Sequence, residues 1–138
     1  IRLTKHEKPN ELTYYRLAQT YDQMDSTALS IAAYEQAIDI GISKNVSAYY
    51  KNIGILKEDL NQLKAALDAY KEAYHFSNRP DDLFHLARCQ DKYYADKRIA
   101  LNNYKKFLRH KGDKPSELAR YAEARIQIIK TEIFQRGG

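Results

Sequence analysis

His85 and Cys89 stand four residues apart, a spacing that sets both on one face of a helix. There a thiol and an imidazole can work as nucleophile and base, or as two ligands of one metal ion. Either chemistry needs a third group, and the neighbouring residues place none at a matching spacing. His6, His75 and His110 are dispersed. The chain has no glycine-rich phosphate loop, no paired-histidine metal motif and no nucleophile elbow. The expectation is a non-catalytic protein with no metal or cofactor, in which Cys89 fills a small apolar space between helices.

A second concentration is one of charge. Residues 97–138 hold 11 Lys/Arg against 4 Asp/Glu, whereas residues 1–96 hold 12 against 14. Lys105, Lys106, Arg109, His110, Lys111 and Lys114 carry much of that excess. Such a cluster can hold anions, RNA phosphates among them. With 138 residues, 43% hydrophobic and 30% charged, the chain suits one soluble globular or solenoid domain. No apolar run approaches the ~20 residues of a membrane-spanning helix. A single cysteine excludes an internal disulfide framework and leaves the redox compartment open. The chain opens on Ile1 rather than Met, as a trimmed or processed product would, so the lack of a leader carries no information on compartment.

The elements that must position these residues follow from a repeat. Tyr14-Leu17-Ala18-Tyr21 is followed by Ser30-Tyr34-Ala37; the pattern returns as Tyr50-Ile53-Gly54 with Ala66-Tyr70-Ala73, and again as Leu83-Leu86-Ala87 with Ala100-Tyr104-Phe107. Ala18 to Gly54 is 36 residues and Gly54 to Ala87 is 33; Tyr34 to Tyr70 is 36 and Tyr70 to Tyr104 is 34. Periods of this length signify stacked helix pairs. The small residues let paired helices approach, and the tyrosines fill the space that remains. Gly54 lies inside a helix, where glycine costs about 1 kcal/mol relative to Ala, so a close contact is expected there.

Boundaries follow from caps and breakers. Asn10 caps a first helix running to about Met24; a partner starts at Asp25 or Ser26 and ends at Gly41. The second pair is expected over 47–59 and 61–76. Pro80 opens a helix to about Tyr93, whose partner runs from about Asp96 to before Gly112. Ser116, after Pro115, opens the clearest helix, 116–135, with Leu118, Tyr121, Ala122, Ile126, Ile129 and Ile133 on one face and Arg120, Glu123, Arg125, Gln127, Lys130 and Glu132 on the other. That is the pattern of a capping helix, and Phe107 is expected beneath it. Ile128 and Phe134 fall off its apolar stripe, where they suit contact with a partner or a neighbouring chain.

In these residues the chain resembles the tetratricopeptide repeat (TPR) family, whose repeat sets a large residue, a Leu-small pair and an aromatic on one helix, then small, aromatic and small residues on the next. The resemblance covers roughly 11–111. It departs at Lys57 and Gln90, which stand where the first repeat has Tyr21, at Phe107 in place of a small residue, and at the proline-free junction 41–45. It implies an all-α fold, a right-handed α-α superhelix of three helix pairs (11–44, 45–79, 80–111) with a C-terminal capping helix over 115–135. Residues 1–10 are then a linker or the remnant of an upstream segment, and an uncovered first helix there invites a second copy or an upstream domain.

What the resemblance implies for function is a protein-protein interaction scaffold that binds a peptide or protein segment in a concave groove. Carried onto this sequence, the groove positions are Tyr15, Gln19, Lys51, Asn52, Ile55, Phe84 and Arg88. Two aromatics with amide and cationic groups between them suit a peptide carrying a carboxylate beside an apolar side chain. One subgroup of the family grips the C-terminal carboxylate of chaperones, but only Asn52 and Arg88 match its residues, so that clamp is not expected. The rival is an anion or nucleic-acid patch at Lys105, Lys106, Arg109 and Lys111. It is the weaker reading, because base-reading arrays use many repeats with regular code residues. Tyr93-Tyr94-Ala95-Asp96-Lys97 through Arg125-Ile126 is similar to the last repeat and cap of bacterial TPR proteins exported to the envelope, which favours periplasm or envelope over cytoplasm.

Overall fold

A computed structural model describes residues 9–40 and 44–137. Among them are seven α-helices and no strand. They fall into two compact units, Ile1–Phe76 and Ser77–Gly138. The expected linker over 1–10, apart from its last two residues, and the Gly41 cap lie outside the described residues.

The first unit opens with α1 (Glu11–Gln23) and α2 (Thr27–Ile40), followed by α3 (Val46–Asp59) and α4 (Leu63–Ser77). Asn10 caps α1 as its sequence position requires, its side chain accepting from the Thr13 amide at 2.8 Å and satisfying one of the orphan N–H groups of the first turn. The turns inside the two pairs are copies of each other. Asp25 and Asn61, 36 residues apart, both take left-handed φ values, 56° and 58°. In each turn the next amide reaches back five residues, Ser26 N to Tyr21 O and Gln62 N to Lys57 O, both at 2.8 Å. Asp and Asn tolerate this conformation better than other side-chain-bearing residues, and the back-bonds satisfy carbonyls at the helix end.

Two serines tie helix to helix inside this unit. Ser30 Oγ donates to Ala18 O at 2.7 Å, and Ser47 Oγ donates to Ala73 O at 2.8 Å. Both hydroxyls are buried, so the bonds offset their desolvation. Gly54 meets Tyr70: a Cβ built on the glycine would lie 2.7 Å from Tyr70 Cε1. The expected close approach is therefore to the tyrosine ring. Tyr70 is fully buried, and its hydroxyl donates to Glu58 Oε1 at 2.5 Å.

The second unit comprises α5 (Pro80–Tyr93), α6 (Arg98–His110) and α7 (Glu117–Gln135). Pro80 occupies the first turn of α5, where its missing N–H costs nothing. Ser77 Oγ donates to the buried Asp82 at 2.5 Å and fixes the entry to the helix. Ser116 caps α7 by accepting from the Ala119 amide at 3.0 Å. Helix α7 packs on α6 and also reaches α5, burying Ala122, Ile126 and Ile129. Phe107 is fully buried, with its ring 5.3 Å from that of Phe84.

Candidate functional site

Three of the residues expected on a groove line one recess. Gln19 of α1 and Asn52 and Ile55 of α3 surround an open space of about 330 Å³, completed by Asp22, Gln23, Tyr34 and Leu56. Asn52 Nδ2 donates to the Tyr34 hydroxyl at 3.1 Å, which fixes the amide by a group that is itself buried. Gln19 Nε2 donates to Tyr15 Oη at 2.9 Å. The Tyr15 ring leans on the core, with its centroid 5.3 Å from that of Tyr49 and 6.2 Å from that of Tyr34. Tyr15 is thus half support and half surface. Lys51 is half-buried on α3 and does not line the recess.

The recess is polar with an apolar strip. Among the described residues its lining comprises one carboxylate, three amides, one phenol and the side chains of Ile55 and Leu56, with no cation. Burial holds the Tyr34 hydroxyl above its ordinary range; the Asn52 hydrogen bond partly opposes this, while the charges of Tyr15 and Asp22 add to it. The phenol therefore stays protonated at neutral pH. Tyr49 behind it is pushed up to about 12, by burial first and then by the Glu11 carboxylate.

Sequence reasoning missed Asp22, and a signal for it exists. Asp22, Glu58 and Asp91 each follow the small residue of their pair by four positions, one helical turn. Glu58 accepts from Tyr70, and Asp91 Oδ2 accepts from Tyr104 Oη at 3.1 Å. Asp22 acts on Tyr34 through its charge, while the Tyr34 hydroxyl accepts from Asn52. All three positions thus carry a carboxylate, and in the later two it is hydrogen-bonded to the core tyrosine. In the first pair that carboxylate is exposed and lines an open recess.

Phe84 does not belong to a groove. It is only 3% exposed, and its ring lies among those of Phe107 at 5.3 Å, Tyr121 at 5.6 Å and Tyr104 at 6.2 Å. Helix α5 is packed from two sides within its unit, by α6 and by α7, so the position that would face a ligand is covered by Tyr121. Arg88 is half-buried on α5.

The polar centre of the second unit is Asp91, 6% exposed. Arg125 of α7 grips it with two bonds, Nε to Oδ2 at 2.7 Å and an Nη to Oδ1 at 2.9 Å. Lys97 lies 3.6 Å from Oδ1 and donates to the Asp91 carbonyl. Burial and the adjacent Asp91 carboxylate raise the Tyr104 hydroxyl, and the hydrogen bond to Asp91 raises the Arg125 guanidinium. This cluster latches α7 to α5.

The basic cluster is less open than its composition suggested. Arg109 is exposed, but Lys105 and Lys106 are half-buried. Lys111 Nζ folds back to donate to Gly112 O at 2.8 Å and Lys114 O at 2.9 Å, capping carbonyls beyond α6. Cys89 is fully buried and His85 half-buried on α5. No group of three or more His, Cys, Asp or Glu among the described residues could hold a metal ion. No described helix is long and apolar enough to cross a membrane. No protein-family model and no curated protein matches this chain.

Proposed function

We infer that the chain is a non-catalytic interaction scaffold of the TPR type, three helix pairs and a capping helix, and that it binds a peptide segment at the recess between α1 and α3. The observation that carries this reading is the convergence of Gln19, Asn52 and Ile55 with Asp22 and the Tyr34 hydroxyl around one open space. Amides held at the wall of a groove pair with the backbone of an extended peptide, and Ile55 and Leu56 offer an apolar contact for one side chain. With a carboxylate and no cation in the lining, the ligand presents N–H donors or a basic side chain there. A carboxylate at that point would be repelled by Asp22.

An immobilised peptide library tests this, read with the wild type and with Asn52→Ala, Ile55→Asp and Arg109→Ala. Selected peptides rich in Lys or Arg, with binding lost about tenfold or more in the first two variants and kept in the third, support the recess. The resemblance to envelope-exported proteins makes a bacterial envelope extract the natural source for a subsequent pull-down. Mixed-sequence RNA at two salt concentrations supplies the opposing arm. Tight RNA binding that falls steeply with salt and depends on Lys105, Lys106 and Arg109, with no peptide selected, overturns the scaffold reading.

A further inference from the structure

Two helix faces far apart in the sequence are uncovered and unlike in charge. On α2, positions 29, 32, 35, 36, 39 and 40 share one side of the helix at 100° per residue, and all six are exposed. That side carries Leu29, 53% exposed, and Ile40, 46% exposed. The only charged residues of the whole helix are Glu35 and Asp39. A solvated helix face ordinarily mixes both signs of charge with few large apolar groups.

The second face is the C-terminal end of α7. Leu101, Lys130, Ile133, Phe134 and Gly137 line a mainly apolar groove of about 530 Å³. Phe134 at its edge is 85% exposed. An adjoining recess shares Ile133 and Gly137 and adds Arg98 and Arg136. Of the four cations around the two recesses, Lys97 is tied to Asp91 and Arg98 lies 3.9 Å from Asp96, which leaves Lys130 and Arg136 beside Glu132. The same asymmetry holds for the units: Ile1–Phe76 has 9 Lys/Arg against 10 Asp/Glu, and Ser77–Gly138 has 14 against 8.

We propose that the α7 groove receives the outward face of α2 from a second copy of this chain, so that copies associate head to tail. Leu29 and Ile40 lie about 16 Å apart along α2, with Glu35 and Asp39 between them about 6 Å apart. Lys130 and Arg136 are about 9 Å apart on α7. Leu29 and Ile40 are too far apart to enter at one point, so Leu29 enters beside Phe134 and Ile133 while Glu35, about 9 Å along α2, meets Lys130, a pairing that fixes direction as well as contact. The two surfaces differ, so the contact is heterologous, closing into a ring where the rotation allows and otherwise leaving one free α2 face and one free α7 groove at the ends. This association is independent of the peptide recess.

Sedimentation or light scattering of the full chain across concentration provides the test. The wild type is expected to form a dimer or larger species with rising concentration, and its association to weaken about tenfold from low to high salt. Phe134→Glu and Leu29→Glu, both at exposed positions, should each be monomeric alone. Mixed in equal amounts they should form a dimer and nothing larger, since one sound groove then meets one sound α2 face. Should either variant lose its helical circular dichroism, Phe134→Ser and Leu29→Ser replace the pair. A wild type that stays monomeric to about 1 mM overturns the proposal. So does a mixture that stays monomeric, or a self-association abolished by Phe134→Glu and untouched by Leu29→Glu.

Discussion

Gly54 and Asp91 show how little freedom single residues have in this chain. Adding one carbon at Gly54 puts it 2.7 to 2.9 Å from the Tyr70 ring, and that ring cannot swing because it is fully buried and bonded to Glu58. Gly54→Ala should therefore destabilise by about 1 to 3 kcal/mol in urea unfolding, although alanine is the better helix former. Asp91 argues from charge. Removing Arg125 leaves a carboxylate of 6% exposure without its two-pronged partner, with Lys97 still 3.6 Å away. Arg125→Ala is expected to cost about 3 kcal/mol, near the low end for a broken buried pair. Asp91→Asn, which still accepts from Tyr104 and frees a guanidinium that reaches solvent, should cost less. Equal unfolding midpoints for the two variants would contradict this account.

Among the elements, α7 has the clearest structural duty. It covers Phe84 through Tyr121, packs on α6, and supplies the guanidinium that neutralises Asp91. A chain ended before Ser116 should lose cooperative unfolding in its second half and aggregate on a sizing column, because the faces left bare are apolar. Ser116→Ala tests the start of the helix more gently: one lost cap bond, about 1 kcal/mol. The boundaries of these helices were largely legible in the sequence. Asn10, Pro80 and Ser116 act where caps and breakers indicated, since those effects are local to one turn. Phe84 was not legible, because its fate depends on Tyr121, a residue 37 positions away on another helix. Asp22 was legible in principle, from its spacing to Ala18. Its acidity gives the recess a charge opposite to that of Lys51 and Arg88.

For the molecule as a whole, the tyrosines set an alkaline limit. Tyr34, Tyr49, Tyr50 and Tyr104 all have their hydroxyl pKa values raised, with burial the first cause in each. The unfolded chain releases these protons near pH 10. The folded chain holds the one on Tyr49 to about 12. Above pH 10 the unfolded state binds fewer protons, so stability that is fully present below that pH declines as pH rises toward 12. Melting temperature should be flat from neutral to about pH 9.5 and then fall. Tyrosinate absorbance should rise in two stages, with the late stage coincident with loss of helix. A single early stage for all 12 tyrosines would mean these hydroxyls are not held by the fold.

Cys89 is the only cysteine of the chain, and it is fully buried. Its thiol can meet a water-soluble disulfide reagent only when the second unit opens, so the modification rate is a clock for that opening. When reclosing outruns reaction, the observed rate is the rate for a free thiol multiplied by the open fraction. Loosening the Asp91 latch by about 3 kcal/mol should then speed modification roughly a hundredfold. Gly54→Ala, placed in the other unit, would separate two cases. Modification that stays slow means the units open independently, and modification that quickens in step means they open as one.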